Sequence, residues 1–150
     1  MTKLITKNRK VYHDYFIITD FSAGIKLTGS EVKSIRNNDV NLTEAYCYIK
    51  DNEIFVKNMH IAQFNHGGKH SNHEPLRERK LLLNKKEIIY IDASMKQLRY
   101  TLMPLAVVIS NTGLIKLEIG LAKGKKNYDK RESLKTKDIE KNLKQELNKY

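Results

Sequence analysis

The sequence predicts a mainly β fold: a small antiparallel barrel with two or three flanking helices and a basic C-terminal tail. Three observations predict it. The segment LIKLEIGLA (residues 114–122) alternates Ile115, Leu117, Ile119 and Leu121 with Lys116, Glu118 and Gly120, the period of two of a half-buried strand. Apolar runs come in pairs joined by turn chemistry, which reads as hairpins. About six such strands with tight links suggest a closed sheet, because closure removes exposed edges.

Taken in order, YFIIT (15–19) and GIKL (24–27) supply two short strands. In TGSEVKSIRNN (28–38), Thr28 and Glu31 have capping-box spacing and open the first helix. AYCYIK (45–50) and EIFVKNM (53–59) form a hairpin through Asp51 and Asn52. Asn84 and Glu87 repeat the capping device at the start of NKKEIIYIDASMKQLR (84–99). There Ile88, Ile91, Met95 and Leu98 recur every three or four residues as a buried stripe. LAVVIS (105–110), with Asn111, Thr112 and Gly113 as its turn, pairs with LIKLEIGLA as a second hairpin. One body is expected over residues 1–122, and a tail over 123–150.

Composition narrows the partners. The formal charge is +11, a field that attracts phosphate-rich or anionic surfaces. Cys47 is the only cysteine, so an internal disulfide is excluded and a reducing compartment fits. The start has no apolar stretch long enough for a secretion signal, and no run approaches the roughly 20 apolar residues that span a bilayer. A cytoplasmic protein is expected, without membrane or DNA partners.

The tail carries ten Lys/Arg against five Asp/Glu, a net of +5, against +6 for the preceding 122 residues. Ile139, Leu143 and Leu147 fall every four residues, a thin apolar stripe. Ordering about 20 residues costs on the order of 1–2 kcal/mol each in backbone entropy, more than such a stripe offsets. The tail is expected to be disordered alone and helical on a partner.

Catalytic chemistry finds little support. His60, His66, His70 and His73 cluster in HIAQFNHGGKHSNHEP (60–75), but Gly67 and Gly68 loosen the segment and no HExxH pattern is present. Ser30 and Ser34 fall near a helix start, where capping is the usual job, and no complete phosphate-binding glycine loop exists. No metal, cofactor or catalytic residue is expected. RNA binding fits better. Arg9, Lys10, His13, Lys33, Arg36, Arg79 and Lys80 would ring the barrel for phosphate contacts. Tyr15, Tyr46 and Tyr48 would stack on unpaired bases or else pack as half-buried strand residues.

At TGSEVKSIR the chain resembles the small protein B family, the tmRNA-binding (SsrA-binding) proteins of bacterial trans-translation. NRKVYHDYFI, GIKLTGSEVKSIR, NMHI, RKLLLN and KGKKNYDKR follow in the family's order, from about Asn8 to Arg131. The resemblance implies an oligonucleotide-binding-type barrel that grips the tRNA-like domain of tmRNA, without enzymatic activity. It implies Leu82 and Asn84 of RKLLLN as RNA-gripping residues, and the position of Ser22, where many members carry an acid, as another. It further implies that the arm, through Lys123, Gly124, Lys125, Lys126, Tyr128, Asp129, Lys130 and Arg131, meets the small-subunit rRNA at the ribosome's decoding centre. Elongation factor Tu would act alongside, on aminoacylated tmRNA. The alternative is a general rRNA-binding barrel or translation factor without tmRNA specificity.

Overall fold

The structure, a computed structural model, describes residues 2–64, 72–125, 139–145 and 147. The elements are β1 (Lys3–Lys7), α1 (Arg9–Asp14), β2 (Tyr15–Ile25), α2 (Gly29–Arg36), β3 (Val40–Asn41), β4 (Tyr46–Lys50), β5 (Glu53–Lys57), β6 (His60–Ile61), β7 (Arg79–Leu82), α3 (Lys85–Leu98), β8 (Thr101–Ile109) and β9 (Ile115–Gly124). Seven strands form one antiparallel sheet in the order β1-β8-β9-β2-β7-β5-β4, and β3 pairs with β6 separately.

Local chemistry sets these elements. Both expected capping boxes form: the Thr28 hydroxyl and Glu31 carboxylate exchange backbone hydrogen bonds at α2, and Asn84 and Glu87 do so at α3. Asp51 and Asn52 both take positive φ between β4 and β5, as a two-residue hairpin turn requires. Gly113, at φ +85°, turns β8 into β9. The two expected strands YFIIT and GIKL are one 11-residue strand, β2, continuous except for a register shift between Ile17 and Thr19. Its buried side meets Leu81, Leu117, Ile119, Leu121 and Ile91 in the main core.

The expected closed barrel does not form. β1 and β4 end the sheet and do not pair with each other, although the sheet curls enough for β4 to lie against β8. Pro104 has no amide hydrogen for a ladder, and the β8–β9 register shifts between Pro104 and Ala106. A side chain bridges the seam instead. Buried Asn8 donates from Nδ2 to the Leu42 carbonyl at 3.2 Å and the Pro104 carbonyl at 3.0 Å, and its backbone amide reaches the Leu105 carbonyl at 2.7 Å. Leu105 then crosses over Gly120, where a Cβ would meet it at 2.8 Å. α1, an element the sequence reading missed, begins at the same Asn8.

Towards the C-terminus, β9 runs two residues past Ala122 to Gly124, which pairs with Tyr15. Residues 139–145 are helical. Leu143 is only 6% exposed and joins the core, Ile139 and Leu147 pack against it, and the Tyr100 hydroxyl donates to the Glu140 carboxylate. The four-residue apolar period is what lets this segment lie flat on the body.

Candidate nucleic-acid interface

Alternation along the strands assigns the outer face of the sheet. On β7, Leu81 and Arg79 point inward, while Lys80 and Leu82 lie on the other face. Lys80 reaches Glu53 at 2.8 Å, and Leu82 is 47% exposed. Leu82 faces Gly24 across the β2–β7 ladder. Two residues along β2, exposed Ser22 donates to the Glu118 carboxylate at 3.0 Å. Asn84 follows at the N-cap of α3, with its carbonyl oxygen on the Glu87 amide at 2.8 Å. Ser22, Lys80, Leu82 and Asn84 therefore share one side of the sheet. Beside them, a groove of about 1100 Å³ runs between the β4–β5 turn, β7 and α3, with Leu82, Asn84, Ile88 and Ile89 among its walls.

The other expected cations do not complete a single ring. Exposed Arg9, Lys10 and His13 lie on α1, over the opposite half of β2. Lys33 and Arg36 occupy the last turn of α2. Lys33 sits over the Phe64 ring at 5.3 Å, and Arg36 approaches Gly113 of the β8–β9 turn.

Arg79 is a correction. Its side chain is fully buried and pairs through Nε with the equally buried Glu31 carboxylate. Its other donors go to the Met59 carbonyl at 2.6 Å and the Pro75 carbonyl at 3.2 Å. With no solvent-facing surface, it cannot contact phosphate. Glu31 also accepts from Arg77 at 2.6 Å and from the Thr28 amide at 2.8 Å. Burial pushes the Glu31 carboxyl upward, but these hydrogen bonds and the Arg79 charge outweigh it and hold the group below its ordinary value. Guanidinium suits this role because its planar fork satisfies several acceptors at once.

The histidine loop resolves in the same structural sense. His73 is buried, its Nδ1 2.8 Å from the Ser30 hydroxyl and its Nε2 2.8 Å from the Ile61 carbonyl. Among the described residues no three side chains of metal-ligating type gather. His66 and His70 lie outside the described residues. Cys47 is buried, and burial pushes its thiol well above the ordinary value.

At the start of the arm, Lys123 and Gly124 still belong to β9. Lys125 lies 5.2 Å from the Phe16 ring centroid and donates to the Tyr12 carbonyl at 3.3 Å. The remaining expected decoding-centre residues, Lys126, Tyr128, Asp129, Lys130 and Arg131, lie outside the described residues.

A family profile described as "SmpB protein" matches residues 5–149. The chain belongs to the SmpB family. Among similar relatives, an SsrA-binding protein of Shouchella clausii is 49% identical over 141 residues, covering 94% of this chain and 89% of the relative. Another, from Phocaeicola vulgatus, is 49% identical over 137 residues and covers 91% of each chain. A chain of the solved structure described as "tmRNA-SmpB: a journey to the center of the bacterial ribosome" aligns with a TM-score of 0.69 and 39% identity, over 83% of this chain and 87% of that one. Within this SmpB-family fold, no helix among the described residues is long and apolar enough to cross a membrane.

Proposed function

We propose that this SmpB-family chain is a non-enzymatic RNA-binding protein that holds the tRNA-like domain of tmRNA and helps deliver it to stalled bacterial ribosomes in the cytoplasm. Incomplete proteins are thereby tagged and the ribosomes released. The relatives named as SsrA-binding proteins, alike over more than nine-tenths of this chain, support the reading. So does the similar chain in the tmRNA-SmpB structure. The observation in this chain that carries it is Leu82, an apolar side chain left half in solvent beside Asn84, Lys80 and Ser22 on an open sheet face. An apolar contact flanked by a cation and neutral hydrogen-bonding groups suits the sugars and base edges of a folded RNA. Lys80 is partly neutralised by Glu53, so the face favours shape and hydrogen bonding over bare charge.

The arm, residues 123–150, is the second working unit. It leaves the body and enters the decoding centre and vacant mRNA channel as a helix, with Gly124, Tyr128, Asp129, Lys130 and Arg131 meeting small-subunit rRNA. Past β9, the described residues 139–145 and 147 meet the body through the apolar side chains of Ile139, Leu143 and Leu147 and through the Tyr100–Glu140 hydrogen bond. That is little against the entropy of ordering the segment, so release is cheap. No cofactor takes part, and elongation factor Tu acts alongside on the aminoacylated RNA.

Asn84→Asp tests the tmRNA face separately from the fold. Aspartate caps a helix as well as asparagine does, but places a negative charge where RNA approaches. Thermal stability is expected to stay within about 0.5 kcal/mol of wild type. Affinity for tmRNA, read by mobility shift, is expected to fall about tenfold, as losing one good contact implies. Unchanged affinity removes Asn84 from the interface.

A further inference from the structure

The seam left by the unclosed sheet contains a second cleft, of about 470 Å³, between α1, the loop before β4, β4 itself and β8. Its walls include Lys10, Asp14, Tyr15, Thr43, Tyr46 and Thr101. The volume falls within the range of about 300–1,000 Å³ usual for small-ligand sites. Tyr46 ends a row of rings on the outer face of β4 and β5. Phe55 stacks on Tyr48 with centroids 5.7 Å apart and planes 26° from parallel, and Tyr48 lies 6.4 Å from Tyr46. The row stops at the cleft, where Tyr46 is 38% exposed. Cys47, on the opposite face of β4, supplies the core packing, so burial of apolar area does not account for the Tyr46 ring.

Charge around the cleft favours one occupant. Exposed Lys57 stands opposite Tyr46 across the β4–β5 ladder, and on α1 exposed Lys10 lines the other wall, with exposed Arg9 its neighbour in sequence. The two acids there are already approached by bases: Glu44 by Lys10 at 3.8 Å, and Asp14 by His13 at 2.9 Å. A planar π system that continues an aromatic row, carried on a chain with negative charge at each side, is an unpaired nucleotide. We propose that the cleft is a stacking site for one unpaired base of the bound RNA, which lies on the Tyr46 ring while its flanking phosphates meet Lys57 and the α1 cations. The proposal rests on the RNA-binding reading above, and it gives the open seam a use: a barrel closed between β1 and β4 would leave no such cleft.

The chain contains no tryptophan, so Tyr46→Trp introduces a single indole emitter while keeping a stacking ring. Saturating tmRNA is expected to quench its fluorescence, and so is single-stranded hexa-adenylate at higher concentration. A short blunt RNA duplex, which offers no unpaired base, is expected to leave the emission unchanged. In parallel, Tyr46→Leu lowers tmRNA affinity about tenfold with the slope of log affinity against log salt unchanged, because phosphate contacts set that slope and stacking does not. Tyr46→Phe restores affinity to within about twofold of wild type, since the ring face is what matters. Quenching as strong by the duplex as by the single strand overturns the site, as does absence of quenching by both tmRNA and hexa-adenylate. Unchanged affinity in Tyr46→Leu overturns it too. If the unmodified protein fails to shift tmRNA while hexa-adenylate still quenches the Tyr46→Trp protein, the stacking site stands and the tmRNA reading falls.

Discussion

Glu31→Gln is expected to lower the free energy of unfolding by about 3–5 kcal/mol, the usual cost of removing one partner from a buried ion pair. The substitution keeps the shape of the side chain and deletes its charge. It leaves Arg79 buried with carbonyl acceptors but no counter-charge, and leaves Arg77 paired with a neutral amide. At about 2–4 °C per kcal/mol for a chain of this size, the melting temperature falls by roughly 10 °C. A double change, Glu31→Leu with Arg79→Met, recovers part of the loss because it removes both charges together. Recovery is incomplete, since the Met59 and Pro75 carbonyls lose their donor.

The same pair gives a pH signature. The folded-state value of Glu31 lies below its ordinary value of 4.5, so its stabilisation is present above pH 4.5 and is lost as pH falls through the folded value. The stability gap between wild type and Glu31→Gln therefore narrows on acidification below pH 4.5 and is constant near neutrality. Chemical denaturation at several pH values reads it directly. A gap that widens in acid reverses the sign and removes the ion-pair explanation.

Replacing Asp129, Lys130 and Arg131 together by alanine is expected to abolish tagging of incomplete proteins while leaving tmRNA affinity well inside the tenfold line of about 1.4 kcal/mol. The division of labour follows from position. The tmRNA face proposed above lies on β2, β7 and the start of α3, whereas these three residues lie beyond the end of β9. Glycine at 124 allows close backbone approach to RNA, and in sequence Asp129 stands directly before two cations, Lys130 and Arg131. Reconstituted translation on a truncated message, with tagged product measured beside tmRNA binding, separates the two effects. A parallel fall in both quantities means that the arm touches tmRNA itself.

Much of the fold was legible in local sequence. Thr28 with Glu31 and Asn84 with Glu87 declare helix starts within four residues, and Asp51-Asn52 declares a hairpin within two. Features set by distant partners were not legible. Arg79 in RKLLLN reads as surface charge, and its burial depends on Glu31, 48 positions earlier. An acid at the third position of a capping box, with Arg77 and Arg79 two residues apart later in the chain, was the signal available. The bridge across the open seam is Asn8 meeting Leu42 and Pro104, contacts spanning 34 and 96 residues. Pro104 inside an apolar strand was the local hint that a ladder would break there. Leu82 and Asn84 were reached through resemblance, because an exposed leucine and a capping asparagine look ordinary in sequence. Tyr46 was visible as an aromatic on a strand, but its position at the end of a ring row beside a cleft emerges only when β4 curls against β8.

The most direct measurement is the affinity of the unmodified protein for tmRNA beside an ordinary tRNA, across a range of salt concentrations. If the outer sheet face recognises one folded RNA, tmRNA binds more tightly at every salt, and both log affinities fall linearly with log salt as phosphates exchange counterions for lysine and arginine. Equal affinities for the two RNAs across the range would contradict it, leaving a basic surface that attracts any RNA.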